Sequence, residues 1–264
     1  MTEMRIASIA SGSKGNAYLV EQEGEAVLID CGICFKTLRA RVAALYERLG
    51  AKPPHLNGVL VTHSHTDHVG GLRPLLSKRG VTVYANSMTA ETVACQEHLD
   101  DSAFACFENG QPFSVGPFEV AAFSIPHDTS DPVGFLIKDM AAGETYFHGT
   151  DIGTPLDSIG VKLAEADIAT LESNHDSVML ATSGRHPSLI RRISGPRGHL
   201  SNDQACELVR RFASPRLRKL ALAHLSRDCN APRLAEEAMK ATLLEMDRAD
   251  VELKVFGQDE TVVL

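Results

Sequence analysis

The chain has no apolar run approaching the roughly 20 residues a membrane-spanning helix needs. Its opening, Met1-Thr2-Glu3-Met4-Arg5, carries neither the basic nor the apolar region of a secretion signal. These two absences lead to the expectation of a cytoplasmic protein with no membrane partner. No second Cys-x-x-Cys pair accompanies Cys31-Gly-Ile-Cys34, which excludes a four-cysteine zinc site. The six scattered cysteines read as thiols in a reducing compartment, with Cys31 and Cys34 incidental to a loop. Excess positive charge is also missing: 26 Lys and Arg against 34 Asp and Glu leave a net charge of −8, which argues against indiscriminate nucleic-acid binding. The turn Ser11-Gly-Ser-Lys-Gly-Asn16 lacks the full Gly-x4-Gly-Lys-Ser/Thr pattern of a nucleotide-binding loop. No Pro/Ser linker, low-complexity tract or repeat interrupts the 264 residues, so 1–264 is read as a single domain. A core of that size needs no disulfide.

What is present alternates between two periodicities. Short apolar or alternating runs predict strands at 5–9, 17–21, 26–30, 58–62, 81–85, 113–115, 118–125, 133–138, 145–148, 166–171, 219–223 and 251–256. Helical spacing predicts helices at 35–49, 69–77, 203–212 and 231–246. Two mixed halves of this kind suit an α/β (α+β) architecture of stacked sheets with helices outside.

The densest chemistry lies in Thr62-His63-Ser64-His65-Thr66-Asp67-His68, between a strand and a helix. Three imidazoles and a carboxylate within six residues are ligands of catalytic zinc, manganese or iron. Buried without a cation, they would be costly to accommodate. His63 and His65, two apart, can project the same way, and Asp67 and His68 sit where the chain turns into the helix.

The His-x-His-x-Asp-His pattern resembles the signature of the metallo-β-lactamase superfamily. That resemblance implies a four-layer αββα sandwich, two mixed sheets flanked by helices, with metals at one sheet edge. It extends along most of the chain. Val27-Leu-Ile-Asp30-Cys31-Gly32 resembles the early strand ending in Asp-x-Gly, with Cys31 at the usual small position. His127, Asp151 in His148-Gly-Thr-Asp151, and His224 in Leu222-Ala-His224-Leu-Ser226 match the remaining ligand positions. The resemblance thus implies two divalent ions, Zn2+ or Mn2+ with iron also possible. One would be held by His63, His65 and His127, the other by Asp67, His68 and His224, and Asp151 would bridge them.

Gly198-His199-Leu-Ser-Asn202 resembles the histidine loop of tRNA-processing RNase Z and of the PhnP cyclic phosphodiesterases, which implies a proton donor at His199. Ser201 or Asn202 also suits the N-cap of the helix at 203–212. Motif order is similar to the YycJ/WalJ-like branch: Ser11-Gly-Ser-Lys-Gly-Asn16, Glu172-Ser-Asn174-His175-Asp176, and His186-Pro187 through Arg191-Arg192 to Asn202. That branch implies a 5′→3′ exonuclease acting on DNA in preference to RNA. Only 24 positions separate His127 from Asp151, and 73 separate Asp151 from His224. Neither gap has room for an RNase Z arm or a β-CASP insertion.

The expected chemistry is phosphodiester cleavage by a hydroxide held between two cations, with Asp67 orienting the nucleophile and His199 protonating the leaving oxygen. Ser11, Ser13, Asn16, Asn174, His175, Arg191, Arg192, Ser201 and Asn202 are candidate substrate contacts. Residues 185–219 hold nine basic side chains and two acids, either a solvated helix face or a phosphate track. Two alternatives stand beside the nuclease. One is a hydrolase of a small cyclic phosphodiester, thioester or lactone; the other is a metal-stabilised scaffold without turnover.

Overall fold

The computed structural model describes residues 3–264. The first half supplies β1 (Arg5–Ala10), β2 (Ala17–Gln22), β3 (Glu25–Ile29), β4 (His55–Leu60), β5 (Val83–Asn86) and β6 (Phe104–Phe107). Its helices are α1 (Phe35–Arg48), α2 (Thr66–Val69), α3 (Leu72–Arg79) and α4 (Ser87–Glu97). The second half supplies β7 (Pro112–Val115), β8 (Phe118–Ser124), β9 (Val133–Asp139), β10 (Thr145–Gly149), β11 (Ile168–Glu172), β12 (Lys219–Ala223) and β13 (Glu252–Val255). With them run α5 (Asp157–Leu163), α6 (Ser177–Thr182), α7 (Pro187–Ile193), α8 (Asn202–Phe212) and α9 (Pro232–Glu245). A last strand, β14 (Val262–Val263), returns to pair antiparallel with β1.

Two seven-stranded mixed sheets result, ordered β14-β1-β2-β3-β4-β5-β6 and β13-β12-β11-β10-β9-β8-β7. Strands β3 to β6 run parallel, as do β10 to β13, and the remaining pairs are antiparallel. Most of these strands are buried on both faces, which is why they read as apolar runs and not as alternating ones. In β3, Val27 and Ile29 join a core between the sheets with Phe135, Ile137 and Tyr146, while Ala26 and Leu28 face α1 and α3. In β12, Ala221 and Ala223 face the first sheet, and Leu220 and Leu222 pack with α8 and α9. The architecture is therefore helices, sheet, sheet, helices, in the α/β class.

Several segments depart from the sequence reading. The helix expected at 69–77 is two, α2 and α3, broken at Gly70-Gly71. Gly71 donates to the Cys31 carbonyl at 2.7 Å, and a Cβ there would lie 2.1 Å from the carbonyl oxygen of Ile33. Helices α4, α5, α6 and α7 and strands β6 and β14 were unassigned by sequence. Helix α4 buries only Thr89, Ala90 and Val93, and α7 buries nothing, so neither packs a wide apolar face into the core. No described helix is long and apolar enough to cross a membrane.

Candidate metal centre

Brought together at one edge are the carboxyl ends of β3, β4, β8, β10, β11 and β12, where α/β sheets present ligands. Asp30 follows β3, His63 to His68 follow β4, His127 follows β8, Asp151 follows β10, Glu172 ends β11 and His224 follows β12. Asp30, Asp151 and His224 have φ of 59°, 59° and 56°, a left-handed backbone uncommon outside glycine. Each turns its side chain sharply off the strand end, a strain of the kind functional sites accumulate.

All seven residues expected to hold metal are convergent. One potential ligand atom from each of His63, His65 and His127 lies within 4.8 Å of the others, and the same holds for His63, His68 and Asp151, and for Asp67, His68 and His224. Nε2 of His63 faces Nδ1 of His65 at 3.1 Å. Asp151 places Oδ2 3.2 Å from Nε2 of His68 and Oδ1 3.6 Å from Nε2 of His127. Asp67 Oδ2 is 3.6 Å from Nε2 of His68 and 3.7 Å from Nε2 of His224.

The donor set fits a pair of divalent cations. Buried Oδ2 of Asp151 and Nε2 of His224 have no hydrogen-bond partner. A buried polar atom left this way is costly, and a cation between such atoms removes the cost. The opposite nitrogens of His63, His68, His127 and His224 are engaged, as metal-bound imidazoles require. His68 donates from Nδ1 to Asp30 at 2.7 Å, and His127 donates to the Gly198 carbonyl at 2.9 Å. His63 Nδ1 reaches Thr62 Oγ1 at 3.0 Å, and that hydroxyl donates to Asp30. His65 is turned the other way, with Nε2 3.5 Å from Asp128 Oδ1.

Glu172 is the part that sequence motifs did not assign. Its Oε1 accepts from Nδ1 of His224 at 3.0 Å and from Nδ1 of His199 at 2.9 Å. Its Oε2 accepts the backbone N–H groups of Ile152 and Leu200 at 2.8 and 3.0 Å. Burial pushes this carboxyl up, yet His199 and His224 prevail and bring it down to about 2. Asp30 was visible only as a motif residue, and its anchoring of two histidines shows only in three dimensions.

Burial drives the imidazoles of His63 and His127 below their usual range, leaving them neutral and ready to ligate. Burial opposes charge on His68 and His224 too, but Asp151 outweighs it: His68 is raised well above its ordinary value and His224 to about 10. Both shifts favour the protonated imidazole, whose proton a cation must displace. Loading the metal-free protein with zinc near pH 7 should release protons, and affinity should fall as pH is lowered. Calorimetry in two buffers of different ionisation enthalpy counts them; no proton release would refute this pairing.

A cavity of about 410 Å³ opens over the cluster, lined by His65, Asp67, His127, Asp151, His199 and His224 together with Ser13, Asn174 and Arg192. Of the other candidate substrate contacts, Ser11, Asn16, His175, Arg191, Ser201 and Asn202 do not line this cavity. Ser11 is buried and accepts the His224 backbone N–H at 2.8 Å. Asn16 is buried and its amide reaches Asp67 and Nε2 of His68. His175 is buried, and its carbonyl accepts from Asn202 N–H. Ser201 caps α8 in a reciprocal pair with Gln204, and Asn202 bonds to Ser173 and Asn230 beneath the surface. Arg191 is exposed outside the cavity.

The basic run divides in the same way. Arg185 and Arg192 reach the cavity. Arg210, Arg211, Arg216, Arg218 and Lys219 are paired to carboxylates of this chain. Lys219 opens β12, whose far end leads to His224, so the last of these lie a strand length from the cations' site.

The Asp-x-Gly element has a steric cause. Gly32 packs on the Asp67 backbone so closely that a Cβ would lie 1.7 Å from its carbonyl oxygen. Gly32→Ala should displace Asp67 and cost at least about tenfold in metal affinity, measured by chelator competition. Unchanged affinity would refute the contact.

Comparison with known proteins agrees with this geometry. The model of the beta-lactamase superfamily domain matches residues 25–224. The exodeoxyribonuclease WalJ of Streptococcus pneumoniae is 31% identical over 252 residues, covering 94% of this chain and 91% of the relative. The exodeoxyribonuclease YycJ of Bacillus anthracis is 32% identical over 248 residues, covering 92% and 90%. Among solved structures, the metallo-beta-lactamase fold protein YhfI from Bacillus subtilis superposes with a TM-score of 0.71 at 17% identity, covering 99% of each chain. With ligand order, sheet topology and sequence in agreement, this chain belongs to the beta-lactamase superfamily of metal-dependent hydrolases.

Proposed function

We propose that the chain is a phosphodiester hydrolase, a nuclease that acts on DNA in preference to RNA and from the 5′ end. The observation carrying this reading is His199. Its imidazole is fixed through Nδ1 by Glu172, lies beside the ligand cluster, and shares a cavity with two guanidiniums. A leaving alkoxide needs a proton, and an anionic backbone needs cationic neighbours. The names of the two bacterial exodeoxyribonucleases add DNA and an end-directed mode.

Divalent cations, when bound by His63, His65, Asp67, His68, His127, Asp151 and His224, supply activation of water and Lewis-acid neutralisation of the phosphate. Zinc and manganese both accept this donor set, and iron is a third candidate. The chain's own groups do the rest. Asp67, held by Asn16 from behind, aims a carboxylate into the cavity where the attacking water would sit. Glu172 opposes the burial that would deprotonate His199 and raises its pKa, so Nε2 keeps a proton for the leaving oxygen. Arg185 and Arg192 orient the adjoining backbone.

We take residues 1–264 as one catalytic unit. The 127–151 gap holds only β9 and β10, and the 151–224 gap folds onto the second sheet. Six free cysteines suit a reducing cytoplasm.

The test is a digest of 5′- and 3′-labelled single-stranded DNA, duplex DNA and RNA with manganese or zinc, with Asp67→Ala as control. Progressive loss of the 5′ label from DNA, absent in the variant, is expected. The modest cavity favours a second reading, hydrolysis of a small cyclic phosphodiester, thioester or lactone. Apparent affinity for a polynucleotide should weaken steeply with salt, whereas that for a neutral small ester should not.

A further inference from the structure

Helix α7 forms one wall of the 410 Å³ cavity, and what it presents there is unrelated to holding cations. Leu189, Arg192 and Ile193, at i, i+3 and i+4, share its cavity face. None of its residues is buried, so core packing does not dictate these side chains. Arg192 is 65% exposed, and its Nε and Nη2 both reach Oδ2 of Asp128 at 2.7 Å. That grip fixes one edge of the guanidinium and leaves Nη1 uncommitted. At the start of the same segment Arg185, with Nη2 2.8 Å from Asp228, lines the cavity as well. Two cations and an aliphatic strip therefore border the reaction site on one side.

Resting on the nuclease reading, we infer that α7 is a subsite for one unpaired nucleotide. The base lies across Leu189 and Ile193 while its phosphate is held by Arg192 and Arg185. A volume of about 410 Å³ is near the lower end of the roughly 300–1,000 Å³ of ordinary ligand sites. That is room for one nucleotide, and a base laid flat on Leu189 and Ile193 has to be unstacked from its neighbours. Asp128 and Asp228 offset much of the arginines' charge, so phosphate contact alone is weak and the apolar contact is needed with it.

Besides the arginines and the ligand cluster, the hydroxyl and amide side chains lining the cavity are Ser13, Ser226 and Asn174. The amide nitrogen of Asn174 is given to the His224 carbonyl at 2.8 Å. An aliphatic surface accepts any base, as stacking platforms do for single strands. The subsite therefore selects strand state more than sequence, and the substrate is a single strand or a frayed end.

The test measures binding with metal removed, so that no cleavage intervenes. Fluorescence anisotropy in chelator, with a 5′-phosphorylated single-stranded oligonucleotide and a blunt hairpin duplex as probes, should show at least tenfold tighter binding of the single strand. Leu189→Asp and Arg192→Ala should each weaken single-strand binding about tenfold, and Arg192→Ala should lower the salt slope by about one phosphate. Lys240→Ala, on α9, should match the parent. Melting temperature and zinc content report whether each variant is folded, and Leu189→Ala supplies a milder probe of the same strip. Equal affinity for hairpin and single strand, or parental affinity in both α7 variants, overturns the subsite while cleavage of DNA by the parent still stands. A parent that neither binds nor cleaves any oligonucleotide overturns both.

Discussion

Glu172→Gln should cut turnover at least about a hundredfold and loosen metal retention by roughly 10–100-fold, although it changes one atom of a residue that makes no direct claim on the substrate. The reason is a hydrogen-bond count. Oε1 accepts two imidazole N–H groups and Oε2 accepts two backbone N–H groups, and the carboxylate itself is fully buried. A carboxylate satisfies all four. An amide, in either orientation, turns its NH2 on two donors, either His199 and His224 or the backbone of Ile152 and Leu200. Each donor left unsatisfied costs about 1–3 kcal/mol, so several kcal/mol of stability should go as well. Melting temperature, bound metal per chain and turnover should fall together. A variant with full metal content and parental rate would remove Glu172 from its proposed place as the brace of both histidines.

His199→Ala should lower the rate on an oligonucleotide by about 10²–10⁴-fold with metal content retained. The discriminating measurement is the leaving group. A nitrophenyl phosphodiester departs without a proton, so the same variant should lose far less on that ester. Equal losses on both substrates would make His199 a positioning residue instead of a donor. The pH profile gives the sign independently. Burial lowers the His199 pKa, but Glu172 and Asp151 outweigh it and the net shift is upward. The donor form is complete below that raised pKa, and the rate of the parent should fall on the alkaline side as it deprotonates. In His199→Ala that alkaline limb should vanish.

The ligand cluster was legible because its chemistry is local. Four of the seven side chains lie between His63 and His68, and imidazoles crowded this closely beside a carboxylate are seldom stable without a cation. Strands with two buried faces were legible for the same reason, since both faces are apolar. Glu172 was not, because an acid closing a strand looks like any turn residue until β11 and β12 are parallel neighbours and His224 swings under it. Ser201 was legible twice over, as a motif residue and as a cap, and the capping box with Gln204 shows which role its hydroxyl performs. The arginines at 210–219 misled because composition counts charges, whereas their carboxylate partners come from Glu207 within the run and from Glu3, Asp157, Asp167 and Glu245, far away in the chain. Helix α7 was hard to read because its seven residues are short for a helix and its one differentiated face, mixed apolar and basic, looks into a cavity and not into a core.

The return of β14 to β1 ties the order of synthesis to the order of assembly. Gln258 donates to the Gly15 carbonyl at 2.7 Å and accepts from Lys14 N–H, so the turn carrying Asn16 to the back of Asp67 is clamped by residues made some 240 positions later. A nascent chain stalled on the ribosome after β13 would hold every metal-binding side chain and still leave β1 an open edge, with the turn beside Asp67 unclamped. Until the segment after residue 255 is available, β1 presents an unpaired edge and the turn beside Asp67 lacks its clamp.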